Sequence, residues 1–313
     1  MSLASISIDL DGIGCYHAIH GLPEPEGRDP IYQVALPRLL EELASLGATA
    51  TLFAVGQDAE HEEVARQLEV AGAAGHEIAN HSHSHDYRLT RRPRATIAEE
   101  IARAHAAIER ATGAAPRGFR APGYNVSEAV LDALEAQGYR YDSSIFPSPT
   151  YFALRASAIG LYRLRGQPSR SLAGDLRQFA ASRFPYRPDR ERLFRPGQEG
   201  AQRQLVELPI AVLPRLRLPY IGTSLTMLPD VAGRLLTMGL LASHAPINLE
   251  LHAIDFLDRS DPGVAPALAA RQRDLSVPYS VKRRRLGAVF EALNAARELV
   301  RLDELAARFL DVD

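Results

Sequence analysis

The stretch Ser5-Ile6-Ser7-Ile8-Asp9-Leu10-Asp11 predicts a buried strand that ends in two carboxylates. A helix with leucines at helical spacing follows and ends at Gly47, and a second strand is predicted from Ala48 to Val55. The same alternation continues along the chain. Further strands are predicted over residues 77–80, 118–121, 139–142, 204–212, 247–252 and 299–302.

Seven or eight strands that alternate with helices over about 300 residues favour one α/β domain built as a barrel. No G-x-G-x-x-G or G-x-x-x-x-G-K-[ST] motif follows a predicted strand, so an open dinucleotide- or nucleotide-binding sheet is not favoured. A barrel carries its chemistry at the carboxyl ends of its strands. Polar residues stand at five of these ends: Asp9 and Asp11, His81 and His85, Arg120, Asp142, and His252.

The composition is that of an ordinary globular protein, with 46% hydrophobic and 24% charged residues. Cys15 is the one cysteine, which excludes an intramolecular disulfide and leaves histidines and carboxylates as the ligands for any metal. The first residues lack the pattern of a secretory signal, so we expect a cytoplasmic protein. The apolar run from Leu235 to Ala242 is far shorter than the roughly 20 residues of a transmembrane helix.

Positive charge is concentrated in one part of the chain, although the net charge is −2. Residues 151–203 contain eleven arginines and four acidic residues, a local charge of +7. We interpret this segment as a basic insert within a single domain that spans residues 1–313. Such an insert favours an anionic partner, either a phosphate-bearing substrate or a membrane surface contacted peripherally, and a solvated arginine-rich loop is the alternative. We expect no nucleic-acid partner.

Two imidazoles four residues apart, His81 and His85, follow a predicted strand with Ser82, His83 and Ser84 between them. This spacing allows both rings to face one cation, and Asp11 is the natural third ligand. A site of two histidines and one carboxylate suits zinc or another divalent ion and leaves positions open for water or substrate. The alternative is a solvated histidine-rich turn without a metal.

Asp9 precedes Asp11 by two residues, so both side chains share one face of a regular strand. One carboxylate can then bind the metal while the other accepts a proton from water, although Asp9 could instead orient a metal-bound histidine. His252 ends an apolar strand and could protonate a leaving group, against the alternative of a structural histidine.

Three further residues are candidates for supporting roles. Arg120 could hold a carboxylate through its guanidinium fork, and Asp142 could pair with His252 and raise its pKa. Tyr124 could donate to an oxyanion through its hydroxyl or its backbone N–H.

These motifs resemble those of the polysaccharide deacetylases, the NodB-homology family of carbohydrate esterases. The resemblance rests on five stretches in order, Asp9-Leu10-Asp11-Gly12, His81-Ser82-His83-Ser84-His85, Arg120-Ala121-Pro122-Gly123-Tyr124, Tyr141-Asp142-Ser143-Ser144 and Leu249-Glu250-Leu251-His252. It implies a distorted, incomplete β/α barrel and a divalent metal, commonly zinc, with cobalt or nickel as alternatives. It also implies that Asp11, His81 and His85 are ligands, Asp9 the base and His252 the acid, with Arg120 tethering Asp9 and Asp142 tuning His252.

Two departures from the family pattern bear on the substrate. The first motif has the form D-x-D, and the chain contains no tryptophan, so Phe146, Tyr151 or Phe152 would have to supply an aromatic platform. Despite these departures, the resemblance implies metal-dependent removal of an N-acetyl or related N-acyl group from a carbohydrate. The alternatives are an amidase for a non-sugar cyclic amide or imide, and a catalytically inert sugar-binding homologue. The oligomeric state stays open.

Overall fold

The strands of the barrel are short and lie along almost the whole chain. The structure is a computed structural model that describes residues 2–164 and 174–310. Its strands within these residues are β1 (Leu3–Leu10), β2 (Thr51–Ala54), β3 (Glu77–Asn80), β4 (Gly118–Phe119), β5 (Tyr141–Asp142), β6 (Val206–Glu207), β7 (Ile247–His252) and β8 (Glu298–Leu299).

The strands form a parallel sheet in the order β6-β5-β4-β3-β2-β1-β7, and β8 pairs with the start of β1. Strands β6 and β7 stand at its two edges, and residues 208–221 run across the gap between them. There the Ala211 N–H donates to the Asn248 carbonyl at 2.9 Å, and Ile221 forms an isolated parallel bridge with Glu250. The predicted distorted and incomplete β/α barrel is therefore confirmed.

Helices connect the strands and cover the outside of the barrel. They are α1 (Ile13–Ile19), α2 (Leu36–Ser45), α3 (Gly56–Ala59), α4 (Glu62–Ala73), α5 (Arg94–Thr112), α6 (Glu128–Ala136), α7 (Pro149–Leu164), α8 (Gly222–Met227), α9 (Asp230–Leu241), α10 (Pro266–Ala269), α11 (Tyr279–Ala296) and α12 (Leu302–Leu310). Among the described residues, none of these helices combines the length and the apolar character that crossing a membrane requires.

One predicted strand is much shorter in the structure, and one long helix shows how its ends are formed. The strand predicted over residues 204–212 is reduced to the two residues of β6, because the chain beyond it turns away to cross the gap. Helix α5 begins after Pro93 without a side-chain cap. It ends at Gly113, which adopts a left-handed φ of +71°.

A buried polar cluster closes the amino end of the barrel, and we call it the basal network. It consists of Thr51, Glu77, Tyr141 and the start of α12. The Glu77 carboxylate accepts hydrogen bonds from the Thr51 hydroxyl at 2.7 Å, the Tyr141 hydroxyl at 2.9 Å and the Asp303 backbone N–H at 3.1 Å. Helix α12 thus seals this end of the barrel through hydrogen bonds as well as apolar packing.

The basic insert contains α7 and a following segment, of which residues 165–173 lie outside the described residues. Its last arginine, Arg203, is 1% exposed and contacts Asp132 at 2.8 Å and Glu135 at 3.0 Å on α6. Arg190 also faces Glu135, at 3.6 Å. The later part of the insert is therefore packed and ion-paired against the outside of the barrel.

Candidate metal centre and active site

Asp11, His81 and His85 converge at the carboxyl end of the barrel. Asp11 Oδ1 lies 3.2 Å from Nε2 of His81 and 3.2 Å from Nε2 of His85, and all three residues are buried. Ligands at the usual 2.0–2.1 Å from a tetrahedral zinc ion are about 3.3 Å apart, so these separations suit a shared cation. The structure therefore brings together the triad that the sequence predicted.

The loop after β3 explains how both imidazoles reach one point. The Asn80 side chain accepts a hydrogen bond from the Ser82 N–H at 2.7 Å, which makes a tight turn directly after the strand. Ser82 and His85 adopt left-handed φ values of +64° and +51°, a strained conformation of the kind found at functional sites. His83 turns away, with Nε2 at 3.2 Å from Glu60.

The donor atoms of this triad fit a divalent metal. Within the described part of the chain, Asp11 Oδ1 and His85 Nε2 are buried and make no hydrogen bond. Nδ1 of His81 lies 2.8 Å from the Arg120 carbonyl, which fixes the proton on Nδ1 and leaves Nε2 as a ligand atom toward Asp11. Buried polar atoms without partners are costly, and a bound cation would satisfy them.

Without a metal, the pKa values of both histidines of the triad are raised. Burial lowers the pKa of His85, but the charge of Asp11 and the contact with Cys15 outweigh it and raise the pKa to about 10. A protonated imidazole cannot bind a metal, so metal binding must release this proton. Cys15, on α1, and Tyr87, whose ring packs edge-on against His85 at 4.9 Å, are two neighbours that the sequence analysis missed.

Asp9 is held by Arg120 inside the barrel. Nη1 of Arg120 donates to Asp9 Oδ1 at 2.7 Å, while its other donors bond Ser7 and Ser143, and the residue is 0% exposed. Asp9 Oδ2 faces the opening, 3.8 Å from Nε2 of His81 and 4.0 Å from Nε2 of His252. One carboxylate oxygen is therefore tethered and the other is directed at the candidate metal centre.

His252 completes the site from β7, the neighbour of β1. Asp9 pairs with His252 and Ser7 with Glu250 in the register of the two strands, so their side chains enter the barrel together. Nε2 of His252 lies 3.9 Å from Asp11 Oδ2, and Nδ1 lies 2.8 Å from Oε1 of the fully buried Glu250. Burial lowers the pKa of His252, but the Glu250 carboxylate outweighs it, and the pKa lies well above its ordinary value.

Glu250 replaces Asp142 as the partner of His252, so the predicted pairing of Asp142 with His252 is wrong. The Asp142 carboxylate accepts a hydrogen bond from the Ser144 hydroxyl at 2.6 Å and faces Glu207 across β5 and β6. Burial raises the pKa of Asp142 to about 6. Strand periodicity could have found Glu250, because it stands two residues before His252 and therefore faces the same way.

Tyr124 is buried near Glu250 and Asp9, and its burial together with their charges raises its pKa well above the ordinary value. Its backbone N–H donates to the Ala121 carbonyl at 3.0 Å, so this group is already engaged. Its hydroxyl is buried and has no hydrogen-bond partner among the described residues. Of the two donors that the sequence suggested, only the hydroxyl therefore keeps an unused hydrogen-bonding capacity among the described residues.

Two of the three residues expected to form an aromatic platform are buried in the core. Phe146 and Phe152 are 0% and 2% exposed and pack in one cluster with Tyr124. Tyr151 is partly exposed and lies against the rings of Tyr124 and Phe146 at centroid distances of 5.8 and 4.8 Å. Only Tyr151 of the three candidates can therefore offer an aromatic surface to a ligand.

Comparisons with known proteins agree with this architecture. Residues 29–141 match the family described as polysaccharide deacetylase. A peptidoglycan deacetylase from Helicobacter pylori is 27% identical over 151 residues, which cover 46% of this chain and 49% of that protein. The match thus spans about half the length of that curated relative. The resemblance to polysaccharide deacetylases is confirmed.

A solved structure extends the similarity of fold to nearly the whole chain. It is a Mycobacterium smegmatis protein provisionally assigned as a polysaccharide deacetylase, with a TM-score of 0.58 and 17% identity. The alignment covers 98% of this chain and 89% of that one. At this identity the similarity concerns the fold alone.

Proposed function

Because residues 29–141 match the polysaccharide deacetylase family, we propose that this protein is a metal-dependent hydrolase that removes an N-acetyl or related N-acyl group from a carbohydrate. One observation carries the proposal. Two buried atoms without a hydrogen-bond partner, Asp11 Oδ1 and His85 Nε2, lie close together. Beside them are the carboxylate of Asp9, which Arg120 holds, and the imidazole of His252, which contacts Glu250.

The site residues divide the work of amide hydrolysis. Asp11, His81 and His85 would hold the metal, which supplies Lewis acidity and lowers the pKa of water when bound. The free oxygen of Asp9 accepts the proton of the water that attacks the carbonyl carbon. The Tyr124 hydroxyl donates to the carbonyl oxygen as negative charge develops there.

His252 supplies the proton that the leaving group needs. Its Nε2 donates a proton to the departing nitrogen as the C–N bond breaks, which releases an amine and a carboxylate. The Glu250 carboxylate keeps Nε2 turned toward the site by holding Nδ1. The base and the acid thus lie on neighbouring strands, in register with each other.

Zinc is the metal we propose, with cobalt or nickel as alternatives, because a set of two imidazoles and one carboxylate is a common zinc site. A phosphate on the substrate has weaker support. Arg177, Arg190, Arg192 and Arg203 of the basic insert form ion pairs with nearby carboxylates of the chain itself. If neutral chitooligosaccharides are turned over as fast as phosphate-bearing sugars, and neutralising Arg183, Arg187 and Arg190 leaves that rate unchanged, the reason to expect a phosphate is removed.

Acetate release from N-acetylglucosamine oligomers by the zinc-reconstituted protein tests the proposal. We expect Asp9→Asn to lower kcat by roughly 10²- to 10⁴-fold, the usual contribution of a general base. Glu60→Gln is the matched control, because Glu60 contacts His83 outside the site, and it should retain activity. Unchanged activity in Asp9→Asn would contradict the role of Asp9.

Two other outcomes would replace the proposal. Hydrolysis of cyclic imides without hydrolysis of N-acetylated sugars would identify the amidase alternative. Binding of sugar oligomers by calorimetry, with no acetate released under any of the three metals, would identify the inert homologue.

A further inference from the structure

Helix α9 has apolar side chains on two opposite faces. Its inner face is buried through Gly233, Thr237 and Leu240. On its outer face Val231, Leu235 and Met238 are 69%, 63% and 66% exposed. Because three large apolar side chains are exposed together there, the outer face of α9 has the character of a contact surface.

A cleft separates α9 from α11 beside this face. Its volume is about 220 Å³. Gly233 and Thr237 on α9 and Ala288 and Ala292 on α11 line it with small side chains. A Cβ placed on Gly233 would meet no neighbouring atom within 4 Å, which shows how much room the wall leaves. The cleft can therefore admit an unbranched apolar chain.

The rim of the cleft is positively charged. Arg234, Arg284 and Arg285 line it, and Asp230 is its one carboxylate. Arg284 and Arg285 both contact Asp230, at 3.1 and 2.7 Å, so the lining keeps an excess of two positive charges. The Arg234 guanidinium makes no ion pair with a residue that the structure describes. This charge is complementary to an anionic partner.

We propose that α9 and the α9–α11 cleft dock on an anionic lipid bilayer. Leu235 and Met238 enter the boundary between headgroups and acyl chains, and Arg234 contacts the lipid phosphates. Pairing with a second copy of the chain is disfavoured, because a two-fold interface would place the same arginine rim on both sides. The surface contains none of the site residues, so this inference is independent of the proposed activity.

Vesicle co-sedimentation of the full chain tests the proposal. We expect binding to phosphatidylcholine vesicles that contain phosphatidylglycerol, weaker binding to phosphatidylcholine alone, and a loss of binding as salt is raised. The double variant Leu235→Ser/Met238→Ser should weaken binding at least about tenfold, since two apolar side chains lose their burial. Arg234→Gln should weaken binding only to the anionic vesicles.

Two variants on α4 serve as matched controls. Val70 is 64% exposed and Arg66 has a 66% exposed side chain, so Val70→Ser and Arg66→Gln make the same chemical changes on another surface helix. Both should bind vesicles like the wild type. Circular dichroism should show that all variants keep the fold.

Three results would overturn the proposal. The wild type could fail to sediment with anionic vesicles, or Leu235→Ser/Met238→Ser could bind them as well as the wild type does. Light scattering could also show a dimer that this double variant converts to a monomer, which would assign the surface to a second copy.

Discussion

The two ends of the barrel both bury polar side chains, but they differ in how those side chains are satisfied. At the amino end, both carboxylate oxygens of Glu77 accept hydrogen bonds. At the carboxyl end, Asp11 Oδ1, His85 Nε2 and the Tyr124 hydroxyl make none with a described residue. Burial of polar groups therefore does not by itself locate the site. What marks the site is that two such unpartnered atoms, Asp11 Oδ1 and His85 Nε2, lie 3.2 Å from each other.

Measuring the metal content is the strongest test of this difference between the two ends of the barrel. We expect about one divalent ion per chain in the reconstituted wild type and almost none in Asp11→Ala or His81→Ala. Glu77→Gln should keep its metal, because Glu77 lies at the other end of the barrel and contacts Thr51, Tyr141 and Asp303 rather than the triad. Elemental analysis at one pH measures all four proteins. Metal retained in both triad variants, or absent from the wild type after loading with zinc, cobalt or nickel, would contradict the assignment.

Glu250 tests the carboxyl end at a residue that binds no metal in our assignment. Glu250→Gln removes the charge that holds up the pKa of His252. Because the protonated imidazole is then lost at lower pH, the alkaline limb of the kcat/KM profile should move to lower pH. We expect kcat to fall roughly 10- to 100-fold, the range typical of residues that support a site histidine, with metal content unchanged.

Asp142→Asn is the matched control for Glu250→Gln. Asp142 contacts Ser144 rather than His252, so its loss should leave the alkaline limb in place. A shift in Asp142→Asn with none in Glu250→Gln would restore the pairing that the sequence suggested.

Glu77→Gln should change stability rather than activity. Burial, with the charge of Asp303, raises the pKa of Glu77 from 4.5 to about 7. The folded protein thus favours the protonated carboxyl. This contribution to stability is complete below pH 4.5 and is lost as the pH rises through about 7. Across that window the wild type should lose up to about 3 kcal/mol that the variant, having no titrating group there, does not lose.

Urea unfolding at the two ends of this pH window measures the difference. The variant should gain stability relative to the wild type as the pH rises, while its acetate release stays unchanged. Stability curves that run parallel across the window would show that Glu77 does not titrate in the fold.

The sequence predicted the polar residues at the carboxyl ends of the strands better than the lengths of the strands. Strands β3 and β7 lie at the predicted residues, where buried segments of four and six residues lead to His81 and end at His252. The residues at those ends, Asp9, Asp11, His81, His85 and His252, come together as expected.

What the sequence could not supply were contacts set by register between strands. Asp142 ends β5, and only the pairing of β5 with β6 places it beside Glu207, whereas Glu250 contacts His252 from the same strand, β7. The length of β6 was likewise out of reach, since it depends on where the chain leaves the sheet to cross the gap.

The central place of β1 has a consequence for synthesis on the ribosome. This strand emerges first, yet Ser7 hydrogen-bonds Asn248, 241 residues later, and β8 joins β1 later still. A nascent chain stalled after β6 would already carry all three residues of the metal triad. It would still leave one side of β1 as an open edge, exposed to aggregation until β7 is made. The arrangement of Asp9 and Asp11 beside His252 can therefore form only after β7 has been made.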